Sequence, residues 1–105
     1  MNITLTDVQN AAGLDFADYD NITTQVVPDP MNPSVKSRTI TDTDENGNTR
    51  ALAWGPSTDP ENGYAVIDGY DTASYDNGEV SSQDFFEDRE TLLAALVQFV
   101  RSAVA

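Results

Sequence analysis

Apolar positions recur with helical spacing near the end of the chain. In SSQDFFEDRETLLAALVQFVRSAVA, Phe86, Leu93, Val97, Val100 and Val104 form one apolar row. Phe85, Leu92, Leu96, Phe99 and Ala103 widen it to about half the circumference of a helix. Ser81 and Asp84 have capping-box spacing. Acids in the first turns and Arg101 near the end complement the helix dipole. The pattern predicts a long C-terminal helix that begins near Ser81–Asp84. ITLTDVQNAA (3–12) predicts a short helix capped by Thr6 and ended by Gly13.

Between these helices the pattern changes to β. VKSRTITDT (35–43) and TRALAW (49–54) flank ENGN, and Asn-Gly between two such runs is a strong hairpin signal. A two-residue turn at Asn46 and Gly47 sets Thr43 opposite Arg50, Thr41 opposite Leu52 and Thr39 opposite Trp54. Those six share one face, with Leu52 and Trp54 marking the core side. Ile40, Asp42, Ala51 and Ala53 share the other. ITTQVV (22–27) is β-branched and predicts a strand. The prolines of PDPMNP (28–33) then interrupt regular structure. GPSTDPENG (55–63) reads as a loop, and GYAVIDGY (63–70) as a third strand antiparallel to the second. DTASYDNGEVS (71–81) reads as a loop or a short twisted ribbon, because a tight turn at Asn77-Gly78 opposes Asp76 to Glu79.

The sum is a small single α+β domain over residues 1–105. A three- to four-stranded antiparallel sheet carries the long C-terminal helix, with a short N-terminal helix beside it. The apolar row is broader than one small sheet needs. Either the N-terminal helix covers the surplus, or the C-terminal helix forms a homodimer or sits in a partner's groove.

Composition supports a packed core, with 39% apolar residues, four Phe, four Tyr and one Trp. Charge changes the picture. Eighteen acids oppose five basic residues, Lys36, Arg38, Arg50, Arg89 and Arg101, for a net charge of −13. Residues 1–35 and 51–88 hold no Lys or Arg at all. Such a field repels nucleic acid and anionic membranes and steers association toward basic partners. Cysteine and histidine are absent, which removes thiolate metal sites, disulfides and every Ser-His or Cys-His nucleophile pair. No apolar run reaches the roughly 18–20 residues a membrane span needs. The opening residues lack the basic flank and apolar core of a secretory signal. The expectation is a cytoplasmic protein, in the host cytoplasm if phage-encoded.

Candidate chemistry is sparse. Residues 42–53, DTDENGNTRALA, fit the first half of a calcium loop at Asp42, Asp44, Asn46 and Gly47. Position 12 is Ala53 where a bidentate Glu is needed, and the flanks are β-rich, so the hairpin reading stands. Carboxylate pairs at Asp18/Asp20, Asp59/Glu61, Asp68/Asp71 and Asp76/Glu79 could serve hydrolysis or hold Mg²⁺. Close pairs arise by chance in a chain this acidic, so no enzyme activity, cofactor or metal is expected. Tyrosines among the acids point to a protein-binding surface, since Tyr is a favoured interface anchor. The candidate partner-binding residues are Asp15, Asp18, Tyr19, Asp20, Asp59, Glu61, Asp68, Tyr70, Asp71, Tyr75, Asp76 and Glu79.

Three functional classes compete. An acidic domain can occupy the Lys/Arg groove of a nucleic-acid enzyme, itself contacting no nucleic acid. Carboxylates at i and i+2 of an extended strand lie about 6.5–7 Å apart, near the spacing of successive phosphates. Asp42/Asp44, Asp18/Asp20 and Asp59/Glu61 have that sequence spacing. In general character the chain resembles the small anti-restriction and anti-CRISPR proteins of phages, although no family motif matches residue by residue. The alternative is a phage or virion assembly accessory working through its apolar helix. In the third class, the acids keep a domain hydrated at high salt and bind nothing in particular.

Overall fold

The computed structural model describes residues 2–105. They form helix α1 (Leu5–Ala12), strands β1 (Ile22–Pro28), β2 (Lys36–Thr43), β3 (Thr49–Asp59), β4 (Ala65–Asp76) and β5 (Glu79–Phe86), and helix α2 (Arg89–Ala103). The α+β class is as expected. The antiparallel sheet, however, has five strands in the order β1-β2-β3-β4-β5, so each strand pairs only with its chain neighbours.

The fifth strand comes from residues assigned above to a loop and to the helix. Asn77 and Gly78 adopt positive φ, 51° and 84°, as a tight two-residue hairpin turn requires. Asp76 does oppose Glu79. Both are exposed, so water screens the repulsion that argued against the turn. SSQDFF therefore lies in β5, and α2 starts only at Arg89, with Asp88 as its N-cap. The Ser81–Asp84 capping box does not form. Residues 55–59, read as loop, extend β3 through a register shift between Pro56 and Thr58.

The β2–β3 hairpin is slipped by one residue from the two-residue turn. Arg38 faces Trp54, Ile40 faces Leu52 and Asp42 faces Arg50. Asp44 explains the slip. Its backbone N–H donates to Asn48 O at 2.9 Å. Its carboxylate accepts from the N–H groups of Asn46 (2.8 Å) and Asn48 (2.9 Å). Glu45, Asn46 and Gly47 thus form a three-residue loop with Gly47 at φ 83°, the left-handed position of a bulged hairpin. A one-residue slip moves every β2 side chain to the opposite face. Ile40 thereby joins Trp54 in the core, and Thr39 and Thr41 turn away from it.

Both helices cover this one face of the sheet. Ile3, Val8, Phe16, Ile22, Ile40, Trp54, Tyr70, Leu92, Leu96 and Val100 form the buried cluster. Trp54 donates its indole N–H to Ile3 O at 2.9 Å, which fastens the N-terminal segment over the sheet. The rest of the α2 stripe, including Leu93, Val97 and Phe99, packs against the same cluster, and α1 packs against α2. No helix among the described residues is long and apolar enough to cross a membrane.

Thr4, not Thr6, caps α1. Its side chain accepts from Asp7 N–H, and Asp7 accepts from Thr4 N–H at 2.9 Å. Those bonds, then Arg89 beside it, hold the Asp7 carboxyl below the usual carboxylate range. Bonds from Thr91 do the same for Asp88. A carboxyl depressed in the folded state adds stability above its unfolded pKa and loses it as pH falls through the folded value. Thermal stability should therefore decline below about pH 4. Melts from pH 5 to 2 should show a shallower decline for Asp7→Asn than for the parent; equal slopes would show that the box contributes nothing.

Candidate functional site

The antiparallel meander sorts the acids by sheet end. At one end lie the start of β1, the β2–β3 loop and the β4–β5 turn. Ile22, Asp42, Arg50, Asp76 and Glu79 form one register row across the sheet there. The two turns are tied together: Asn77 N–H donates to Thr49 O at 2.8 Å, and Thr49 N–H donates to Asn77 Oδ1 at 2.9 Å. Asp18, Tyr19 and Asp20 reach the same end through the 3-10 turn Phe16–Asp18, which packs on β1. The end of α2 closes it, because Asn21 Nδ2 donates to both Asp42 Oδ1 (2.7 Å) and Ala103 O (2.9 Å).

A depression of about 600 Å³ opens between the hairpin loop and the end of α2. Tyr19, Asp42, Asp44, Glu45 and Asn46 line it. Arg50 lies beside it, and its charge is already engaged. Its Nε contacts Asp42 Oδ2 at 3.0 Å, its Nη2 donates to Ser102 Oγ at 2.9 Å, and its guanidinium stands 5.0 Å from the Phe99 ring centre. Hydrogen bonds from Asn48, Asn46 and Gly47 hold the Asp44 carboxyl below its ordinary range. Of the chain's other cations, Arg89 pairs with Asp7 at 3.2 Å, Arg38 is buried, and Lys36 lies at the opposite end of β2. Arg101 lies in the last turn of α2, near the helix end that borders the depression, so the carboxylates here outnumber the cations without being free of them.

The candidate residues from the sequence separate accordingly. Asp18, Tyr19, Asp20, Asp76 and Glu79 gather at this end, with Tyr75 half-buried on the adjoining sheet face. Asp15 caps the 3-10 turn through Ala17 N–H. Asp59, Glu61 and Asp68 lie at or near the β3–β4 connection, away from the acidic end, and Asp59 caps its own turn by accepting from Glu61 N–H. Asp71 accepts from Ser57 Oγ at 3.1 Å and borders a second depression, about 570 Å³, on the sheet face away from the helices. Tyr70 is 3% exposed in the core, so it cannot anchor a partner.

The proposed i, i+2 ladders do not form either. Asp44 lies in a loop, Asp18 and Glu61 lie in 3-10 turns, and Asp42 is paired with Arg50. The sequence reading missed Asn21 and Glu45. Glu45 simply follows Asp44 in the chain, whereas only the β1–β2 register brings Asn21 beside Asp42. Among the described residues no group of three or more His, Cys, Asp or Glu is placed to hold a metal ion.

No protein-family model matches the chain, and neither the curated proteins nor the solved structures give a match.

Proposed function

We propose that the protein is a non-enzymatic, cytoplasmic binding protein that engages the basic groove of a nucleic-acid enzyme through the acidic end of its sheet. By occupying that groove it excludes the nucleic acid, a counter-defence role suited to a phage or mobile element. One observation carries the reading. The depression lined by Tyr19, Asp42, Asp44 and Glu45 sets a half-buried tyrosine beside the Asp44 and Glu45 carboxylates, with Asp42 already paired to Arg50, and this suits a Lys or Arg side chain. Asp18, Asp20, Asp76 and Glu79 add exposed charge at the same end of the sheet, which speeds encounter with a basic surface. The assembly reading loses its main support, since the apolar face of α2 packs into the protein's own core.

Two baits test the proposal against host lysate. The first replaces Asp18, Asp20, Asp76 and Glu79 with Asn or Gln, and the second does so at Asp59, Glu61 and Asp68. The parent should retain a basic nucleic-acid-binding protein that salt and duplex DNA both release. The first bait should lose it, and the second should keep it. Retention by both baits, or release by salt but never by DNA, would overturn the reading.

A further inference from the structure

The two edge strands are built differently. β5 carries the usual protections against edge pairing: Glu79 and Asp84 along its length, and a register shift opposite Ser74/Tyr75. β1, Ile22–Pro28, has no charged residue and no shift against β2. It is exposed from Thr23 onward, with Val26 49% and Val27 37% exposed. In a protein of net charge −13, this edge is the neutral one.

The hydrogen bonds show which backbone groups are free. Thr43 N–H donates to Asn21 O, and Asp29 N–H donates to Val35 O, so odd-numbered residues of this segment face β2. Alternation turns Ile22, Thr24, Val26 and Pro28 outward. Ile22 N–H already donates to Tyr19 O at 3.3 Å, and Pro28 has no N–H. The outward donors are therefore those of Thr24 and Val26. This set is self-complementary under two-fold symmetry. If Thr24 faces Val26 of a second copy, both donors and both matching carbonyls are satisfied on each chain, and Gln25 meets its own counterpart on the axis.

We propose that β1 pairs antiparallel with β1 of a second copy of this chain, in this register, to form one continuous sheet across a dimer. An isologous contact of this kind closes on itself and does not propagate. It does not depend on the function proposed above.

The register makes the test specific. Gln25 and its counterpart would form a pair without mutual hydrogen bonds, with Cα atoms about 4.5 Å apart, inside the range a disulfide spans. The chain has no cysteine of its own. Gln25→Cys should form a covalent dimer on mild oxidation. Thr23→Cys should not, because Thr23 and its counterpart would lie about 13 Å apart along the strands. Light scattering and sedimentation of the parent should give twice the 11.4 kDa chain mass at the upper end of a dilution series. Val26→Pro removes an outward donor and leaves the β2 ladder intact, so it should weaken the dimer about tenfold or more. Circular dichroism checks that this variant remains folded. A parent that stays monomeric throughout, or equal cross-linking through positions 23 and 25, would overturn the proposal. So would a dimer unaffected by Val26→Pro in a folded variant.

Discussion

Trp54→Ala should unfold most of the protein at ordinary temperatures. The side chain is 2% exposed at the centre of the sheet's covered face. Truncating a buried Trp costs about 3–5 kcal/mol from lost transfer energy and the cavity left behind. The change also removes the donor to Ile3 O, leaving a buried carbonyl unpaired, a further cost of about 1–3 kcal/mol. A small domain is stable by about 5–15 kcal/mol in total, and 105 residues place this one toward the lower part of that range. Urea titration followed by far-UV circular dichroism measures the loss without needing the missing fluorophore. Trp54→Phe separates the two contributions, since it retains most of the volume and removes only the indole donor. A loss below about 1 kcal/mol for Trp54→Ala would show that the core does not centre on this residue.

The second large effect belongs to Gly69. Its φ is +100°, a conformation that side chains rarely adopt, and it is buried on β4. A Cβ there would run into the Phe85 ring and meet Phe86 O at 3.1 Å. The two obstacles differ in kind. Phe85 is 54% exposed, so its ring can swing into solvent. The φ angle and the Phe86 carbonyl belong to the backbone and cannot move independently. Gly69→Ala should therefore cost about 1–3 kcal/mol, most of it backbone strain. Phe85→Ala in the same chain should recover only a small part. A double-mutant cycle read by denaturant unfolding measures this directly. Near-complete rescue by Phe85→Ala would mean that the ring, not the backbone, sets the requirement for glycine.

These two positions also mark what was legible in the sequence. Trp54 and Leu52 were readable as core because an aromatic and an aliphatic residue alternate with small ones in a β-rich run. The short N-terminal helix ending at Gly13 was readable from local chemistry. The β5 strand was not, because SSQDFFED contains acids and serines that serve a helix start equally well. The local cost of opposing Asp76 to Glu79 was overridden by the backbone preference of Asn77-Gly78 and by the core position of Phe86, opposite Tyr70. The hairpin register turned on how a single carboxylate, that of Asp44, hydrogen-bonds to nearby backbone N–H groups.

The candidate site was legible in part for a related reason. Excess charge is visible in composition, but its convergence at one end depends on strand direction and register. Residues far apart in sequence, Asp20, Asp42 and Asp76, come together only once the meander is known. Tyr70 looked like its neighbours Tyr64 and Tyr75 among the acids, and strand alternation alone sent it inward.

The order of the strands has a kinetic consequence. Every ladder joins neighbours in the chain, so each hairpin can close a short loop early and at little entropic cost. Contacts between distant parts of the chain are concentrated where the two ends meet: Ile3 on Trp54, Asp7 on Arg89, Asn21 on Ala103, and α1 on α2. Docking of the helices is then the late event in folding, and their release the early event in unfolding. Mutations at the α1–α2 contact should mainly accelerate unfolding, whereas mutations in the β2–β3–β4 ladder should slow folding.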